Sequence, residues 1–378
     1  MEYRYYKYRI YPDENQQTLI DNTFNNVRYI YNYFLGLKIC AYKKNKTTYS
    51  YKETSSILTL MKKEKEWLKE SDKCALQNAL KDLDSSFVYF YRGVNRFPNF
   101  KTKKKSKKSY RTNCNLKIEP KRIRIPKIGW LKTREERIPE GKIIYITITK
   151  SKAGKYYASV CFSIENSSFI PKTNKKIGID MGVKDFCVTS NGERFLNFAD
   201  KKSFDRRIAF LRKSLSRKTR GSNRYEKALR RLQKEYEYQA NVRKDYIHKL
   251  STALIKNYDY IAVEGVNVKE LTQKGVASKS IIWEAWGMFF EFLNYKAKWY
   301  GKTVVEADRF FPSSQKCSNC GAINTNLRNL KVREWNCPIC GAKHDRDVNA
   351  AINVLNECLS RTVGTTGIAQ ENFFEKND

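Results

Sequence analysis

Cys317-Ser-Asn-Cys320-Gly321 and Cys337-Pro-Ile-Cys340-Gly341, with His344-Asp-Arg-Asp347-Val-Asn-Ala-Ala351 close behind, form the stretch around which this chain is organised. The two C-x-x-C pairs are separated by 16 residues, the spacing of a zinc ribbon, where two tight knuckles gather four thiolates into one tetrahedron. A glycine after each pair suits a knuckle, because a turn around a metal needs positive φ and glycine accepts it without steric cost. Two disulfides or free core thiols are the competing readings, and paired knuckles in a chain without a secretory signal argue against both. Cysteines Cys317, Cys320, Cys337 and Cys340 would fill the coordination shell. One Zn²⁺ held there is expected to be structural, which sends the search for chemistry elsewhere.

Asp345-Arg-Asp347 leads directly into Val348-Asn-Ala-Ala-Ile-Asn-Val-Leu355, which reads as an apolar helix with an acid in its first turn. Residues two apart on a helix face different ways, so Asp345 and Asp347 are not expected to point at one site. An acid here also serves as a cap stabilised by the helix N-terminus. This stretch alone leaves the choice between cap and functional acid open.

A chain of 378 residues and 44.5 kDa can bury a large core and divide into two or three domains. It carries 74 Lys and Arg against 39 Asp and Glu, a net charge of +35. So one-sided a balance opposes compaction by self-repulsion unless a polyanion is the normal partner, which makes nucleic acid the default. The 25 Tyr and 20 Phe supply core and surfaces on which bases can stack. Beyond the knuckles, Cys40, Cys74, Cys114, Cys161, Cys187 and Cys358 are scattered and read as free thiols of a reducing cytosol. No signal-length apolar run opens the sequence and no stretch approaches a membrane span, so a soluble cytoplasmic protein is expected.

In chain order, Tyr3 to Tyr11 alternates aromatic and basic residues and stops at Pro12, as an isolated strand would. From Glu14 to about Gly36 a helical stripe takes over, with Leu19, Phe24, Val27, Ile30, Tyr31 and Phe34 on one face. Further helices are expected at Ser55 to Trp67 and Asp72 to Tyr91. On the second of these Lys73 and Gln77 lie one turn apart beside the apolar stripe, where they could reach base edges or simply be solvated. Lys101-Thr-Lys-Lys-Lys-Ser-Lys-Lys108 is a charge run, read as a flexible solvated segment and a candidate phosphate contact. Short strands follow at Leu116 to Ile118, Arg122 to Ile125, Ile143 to Thr149 and Tyr156 to Ile164, suggesting a small barrel interrupted by the helices. Asn166-Ser-Ser reads as a linker.

Lys176-Ile-Gly-Ile-Asp180 is a strand with Ile177 and Ile179 on one face and Gly178 and Asp180 on the other. Asn191-Gly192 is a strong hairpin turn between Phe186 to Ser190 and Arg194 to Leu196. Two basic amphipathic helices occupy Phe204 to Tyr246, and Tyr260-Ile-Ala-Val-Glu264 is a second strand ending on an acid. Unpaired carboxylates in apolar strands are costly, so a cation is expected to hold Asp180 and Glu264. Strand acid, strand-end acid and helix-start acid fit a ribonuclease H-like fold, in which three carboxylates bind two Mg²⁺ about 4 Å apart. The only histidines, His248 and His344, are not needed by such a site.

The combination of Ile177-Gly-Ile-Asp-Met-Gly-Val-Lys-Asp-Phe186, Val263-Glu-Gly-Val-Asn-Val268, Tyr295-Lys-Ala, Pro312-Ser-Ser-Gln-Lys-Cys317 and Asp345-Arg-Asp-Val-Asn-Ala-Ala351 resembles the TnpB family. These are OrfB-type transposon-encoded RNA-guided DNA nucleases, relatives of type V CRISPR effectors. The resemblance spans almost the whole chain and implies an α/β fold with a split ribonuclease H-like (RuvC) nuclease domain and an inserted zinc ribbon. It further implies an N-terminal β-barrel, the wedge, interrupted by a helical recognition lobe. The implied division is wedge strand 1–12, recognition lobe 13–108, wedge 109–168, RuvC 169–312 with a helical insertion at 201–250, zinc ribbon 313–343, RuvC helix 344–360 and tail 361–378.

By the same resemblance Asp180, Glu264 and Asp347 are the catalytic ligands of two Mg²⁺, with Mn²⁺ as a substitute, and Asp347 is preferred to Asp345. Lys73, Gln77, Thr112 and Asn113 would read a short transposon-adjacent motif in DNA. Lys101, Lys103, Lys104, Lys105, Lys107 and Lys108 would touch nucleic-acid backbone. The implied partners are a guide RNA from the transposon end and double-stranded target DNA, with a monomer carrying one RNA. A CRISPR-associated effector and a DNA-bound repressor without cleavage are the rival readings. The intact acid set speaks against the repressor. No tyrosine or serine recombinase constellation supports a strand-transfer enzyme.

Overall fold

A computed structural model describes residues 2–104, 106–165, 169–182, 184–196, 201–265, 285–328 and 332–363, apart from the side chains of residues 201, 202, 362 and 363. Lys105, the linker expected at 166–168 and the tail beyond 363 lie outside the described residues. The chain divides into two compact units, Met1–Asn166 and Ser167–Asp378.

In the first unit β1 (Glu2–Tyr11) buries Tyr8 and Ile10 on one face and exposes Tyr3, Tyr5 and Tyr11 on the other, as a pleated period of two requires. Asp13 then caps α1 (Glu14–Asn45) in a reciprocal capping box with Gln16. The helix runs past Gly36, where it was expected to end. Buried Phe34, Leu35 and Lys38 on either side of that glycine outweigh its helix cost of about 1 kcal/mol. α2 (Tyr51–Glu64) starts on a second capping box, Ser50 with Glu53, and α3 (Lys73–Tyr91) starts on Asp72. Seven antiparallel strands complete the unit: β1 with β2 (Lys108–Thr112), β3 (Lys117–Glu119), β4 (Arg122–Ile125), β5 (Gly129–Thr133), β6 (Lys142–Lys150) and β7 (Tyr156–Ile164), in the order β2-β6-β7-β1-β5-β4-β3. β1 is central to this sheet, paired along most of its length with β7. Strands β2 and β5 were not anticipated, since lysines and a glycine obscure their alternation.

The second unit is built on five strands: β8 (Lys176–Met181), β9 (Asp185–Thr189), β10 (Arg194–Leu196), β11 (Tyr260–Val263) and β12 (Thr303–Glu306), in the order β10-β9-β8-β11-β12. β8, β9 and β10 are antiparallel neighbours, whereas β11 runs parallel to both β8 and β12. Between β10 and β11 stand α4 (Lys201–Ser216) and α5 (Asn223–Asn257), and α6 (Trp286–Tyr300) precedes β12. A short antiparallel hairpin, β13 (Glu334–Asn336) with β14 (Lys343–Asp345), leads into α7 (Arg346–Val363).

The sheet is covered on both faces. Ile177, Ile179, Phe186, Ile261 and Val263 pack with Leu250, Leu254, Phe289 and Leu293 of α5 and α6. On the opposite face Ala262 and Ala307 pack with Val354 and Cys358 of α7. Gly178 lies under α7: a Cβ there would stand 2.0 Å from the Ala351 carbonyl oxygen and 2.8 Å from Leu355 Cβ. Only a residue without a side chain allows that approach.

Gly178→Ala is therefore expected to force α7 off β8 and destabilise the second unit by about 1–3 kcal/mol, the usual range for overpacking. Chemical denaturation checks it, and an unchanged midpoint would show that the contact yields freely.

Candidate functional site

Asp180 shares a face of β8 with Gly178, two residues away, and Asp347 shares a face of α7 with Ala351, four residues away. Two residues of strand and four of helix span similar lengths, so seating Ala351 over Gly178 carries Asp347 toward Asp180. Glu264 arrives from the end of β11, where its N–H continues the ladder to the Ile179 carbonyl at 3.1 Å. The Met181 N–H donates to Glu264 Oε2 at 3.4 Å. Burial, then the charges of Glu264 and Asp347, push the Asp180 carboxyl well above its ordinary range. Burial also raises Glu264, against the Met181 hydrogen bond.

Asp345 is not on the helix. It ends β14 and caps α7, accepting from the N–H groups of Asp347 at 3.1 Å and Val348 at 3.0 Å. The expectation that Asp345 and Asp347 cannot meet at one place is thereby corrected. Arg194, on edge strand β10, donates to Asp345 at 2.6 Å, to Asp347 at 3.4 Å and to buried Asp185 at 2.9 Å. Arg333 holds the other Asp347 oxygen at 3.0 Å. These two arginines escaped the sequence reading because nothing in the sequence separates them from the other basic residues.

Cys317, Cys320, Cys337 and Cys340 bring their sulfurs within 4.8 Å of one another, and no other such group of three or more His, Cys, Asp or Glu occurs among the described residues. The three carboxylates are thus not drawn so tightly together. Gly321 and Gly341 take φ of 78° and 72°, as the knuckles require. The Ala342 N–H, followed by the Asn319 side chain, lowers the Cys340 thiol to about 6. The first knuckle is tied to α7 by two asparagines one turn apart. Asn349 donates to the Lys316 carbonyl at 2.8 Å, and Asn353 donates to the Ser313 carbonyl at 2.8 Å. His344 Nε2 lies 3.0 Å from Cys317 Sγ. His248 is stacked on Phe292, and burial followed by the charge of Lys296 pulls it down to about 4, so it is neutral near pH 7.

In the first unit Lys73 is exposed and Gln77 half-buried on the opening turns of α3, and Asn113 is exposed at the end of β2. Thr112 is 0% exposed and its hydroxyl donates to Asp72, the α3 cap, so its assignment as a base reader is corrected to a buried brace. Asn78 reinforces the junction, donating to the Arg111 carbonyl at 3.0 Å and to Asn113 Oδ1 at 3.4 Å. Cys74 and Cys114 form a disulfide across it, correcting the reading of both as free thiols. The lysine run is not uniformly solvated either. Lys103, Lys104 and Lys107 are exposed, whereas Lys101 and Lys108 are half-buried. No helix among the described residues is long and apolar enough to cross a membrane.

Three family models match the chain: "Cas12f1-like, TNB domain" at residues 286–354, "Probable transposase" at 159–275 and "Helix-turn-helix domain" at 1–47, where the structure has β1 and a single long helix. A Streptomyces pristinaespiralis protein named "Putative RNA-guided DNA endonuclease" is 33% identical over 97% of this chain and 92% of its own. InsQ of Escherichia coli K12, with the same description, is 29% identical over 93% of this chain and 91% of its own. A cryo-EM structure of a Cas12f1–sgRNA–target DNA complex has a chain that aligns with a TM-score of 0.56 at 14% identity, covering 94% of this chain and 99% of that one, which shows a shared Cas12-like fold. With a third of its residues identical to those of a relative along nearly its whole length, this chain belongs to the TnpB family of OrfB-type proteins.

Proposed function

We propose that this protein is a transposon-encoded RNA-guided DNA endonuclease that hydrolyses phosphodiester bonds in target DNA beside a short recognition motif. One observation carries the reading: Asp180, Glu264 and Asp347 come from three distant segments, Glu264 set beside Asp180 by the Ile179 carbonyl and the Met181 N–H, and Asp347 carried toward Asp180 by the seat of Ala351 over Gly178. Kinship with proteins named as endonucleases supports it, as does a sheet order matching a split ribonuclease H-like (RuvC) domain. The seven-stranded sheet takes the part of the wedge, α1 to α3 that of the recognition lobe, and β13 and β14 with the knuckles that of the ribbon. The partners are a guide RNA and double-stranded DNA, bound by a monomer.

The donors fit the ions. Half-buried carboxylates are hard oxygen ligands suited to Mg²⁺ or Mn²⁺, and four convergent thiols suit Zn²⁺. When bound, a pair of Mg²⁺ ions supplies water activation and stabilises the leaving oxygen. The chain's own part is positional. β8 and β11 hold Asp180 and Glu264 side by side, the Met181 N–H orients Glu264, and Asp345 with Arg194 fixes the first turn of α7 from which Asp347 projects. Cleavage replaces the bond from phosphorus to the leaving oxygen with one to a water oxygen, without a covalent enzyme intermediate and without a histidine base.

Asp180→Ala, Glu264→Ala and Asp347→Ala should each lower cleavage at least about a thousandfold while leaving DNA binding nearly intact. Asp345→Ala, which loses a cap, should cost far less. Cleavage assays paired with binding assays decide, and an active Asp347→Ala would sink the assignment.

Zinc removal by chelation, or Cys337→Ser, should loosen α7 through Asn349 and Asn353 and so abolish cleavage along with local structure. Elemental analysis showing no zinc in the purified protein would overturn this.

For the motif, Gln77→Ala should relax preference at one or two base positions, at about 1–3 kcal/mol for a lost bidentate contact. Thr112→Val should leave preference unchanged but destabilise the first unit by about 1–3 kcal/mol through the lost hydrogen bond to the buried Asp72 carboxylate. A randomised-motif cleavage library and thermal melts compare them, and the opposite pattern would return Thr112 to the reading surface.

A further inference from the structure

Within the first unit a cavity of about 200 Å³ opens between α1 and the segment entering β2. Arg28, Lys101, Lys103, Lys107 and Lys108 line it together with the mostly buried Phe24 and Val27. Its wall is preformed. Asn32 of α1 both accepts from the Lys101 N–H at 2.7 Å and donates to the Lys101 carbonyl at 2.9 Å. Ser106 closes the loop, its hydroxyl accepting from the Thr102 N–H at 2.8 Å.

Positive charge has been gathered here beyond what the acids present can offset. Lys108 stands directly opposite Lys150 across the β2–β6 ladder, and like charges so placed repel. Asp21, the one acid among the described lining residues, is engaged by Lys150 at 2.6 Å and by the Tyr156 hydroxyl at 3.3 Å. The Lys101 ammonium lies 3.7 Å from the Tyr31 ring centroid and forms no ion pair among the described residues. Burial pulls its pKa below the ordinary lysine value, with only partial relief from Asp82. A desolvated cation without a carboxylate costs stability, and that cost is recovered when an anion enters. Cations beside Phe24 and Val27 suit a ligand with a phosphate at one end and a planar apolar face at the other. A cavity of about 200 Å³ is too small for a duplex.

We propose that this cavity binds a single nucleotide of a nucleic-acid strand, its phosphate held by Lys101, Lys108 and Arg28 and its base turned out of the stack toward Phe24 and Val27. The proposal rests on the nucleic-acid reading above and adds to it a discrete site where that reading had only a backbone track.

Lys101→Met keeps the stem over Tyr31 and removes the charge alone. The free variant should melt at the same temperature as the parent or higher. Its affinity for nucleic acid should fall about tenfold, as expected for one charged contact. The slope of log K against log salt should become shallower by about 0.7–0.9. Two arms identify the strand: the copurifying RNA rebound to RNA-free protein, and target duplex bound to RNA-loaded protein. A loss confined to the first assigns the nucleotide to RNA, and one confined to the second assigns it to DNA. Arg28→Gln, which keeps a polar partner for Asn25, gives the same readout should the first variant misfold. In the affected strand, 4-thio-substituted bases should crosslink to residues 24–28 from one position only. Crosslinks spread over many positions would overturn the single-nucleotide site. Unchanged affinity in both arms, with the parent still binding in a salt-dependent way, would overturn the cavity and leave the wider reading standing. Absence of salt-dependent binding by the parent would overturn both.

Discussion

The close approach of α7 to β8 at Gly178 is the constraint on which the second unit depends. A strand in the middle of a sheet normally offers a row of side chains, and a helix packs at the distance those side chains set. Removing the side chain at Gly178 lets the backbone of α7 descend until the Ala351 carbonyl meets the strand. That descent brings an acid at the start of the helix within electrostatic reach of an acid two residues along the strand. Ala351 is small for the same reason, and both it and Ala350 are buried almost completely. A site for charge has been made by economy of volume.

From that contact the other features of the second unit follow. A helix seated so low must be held at its start, where N–H groups lack partners and like-charged acids crowd together. Asp345 answers the first need as cap. Arg194 and Arg333 answer the second by holding Asp347 from two sides, and Arg194 joins edge strand β10 to Asp185 of β9, Asp345 of β14 and Asp347 of the helix. Buried Asn349 and Asn353 anchor the helix to the first knuckle, where unmatched amides would be costly. Ribbon, helix and sheet are therefore mechanically one assembly.

The first unit shows the same economy at the junction of α3 with β2. Asp72 caps the helix and receives the Thr112 hydroxyl, Asn78 reaches the Arg111 carbonyl, and Cys74 is bonded to Cys114. Hydrogen bonds and a disulfide fix Lys73, Gln77 and Asn113 relative to one another while leaving Lys73 and Asn113 exposed and Gln77 half-buried.

The knuckles, Gly321 and Gly341, the acid-bearing β8, the Asn191-Gly192 hairpin and the helix that starts on Asp72 were legible in the sequence, because each rests on short-range rules of turn, cap or period, whereas α2 begins at Tyr51 rather than at the expected Ser55. Asp180 and Glu264 were legible as residues that apolar strands could not carry without a cation, whereas Asp347 was singled out only through the family resemblance. Tertiary structure alone decided that Asp345 is a strand-end cap beside the site, that Thr112 is a buried brace and that Cys74 meets Cys114. It alone picked Arg194 and Arg333 out of an abundance of basic residues, and it split the lysine run into solvated and half-buried members. These outcomes depend on contacts between segments tens or hundreds of residues apart. Local propensity carries no information about which distant partner will arrive, so for these residues the fold itself had to be seen.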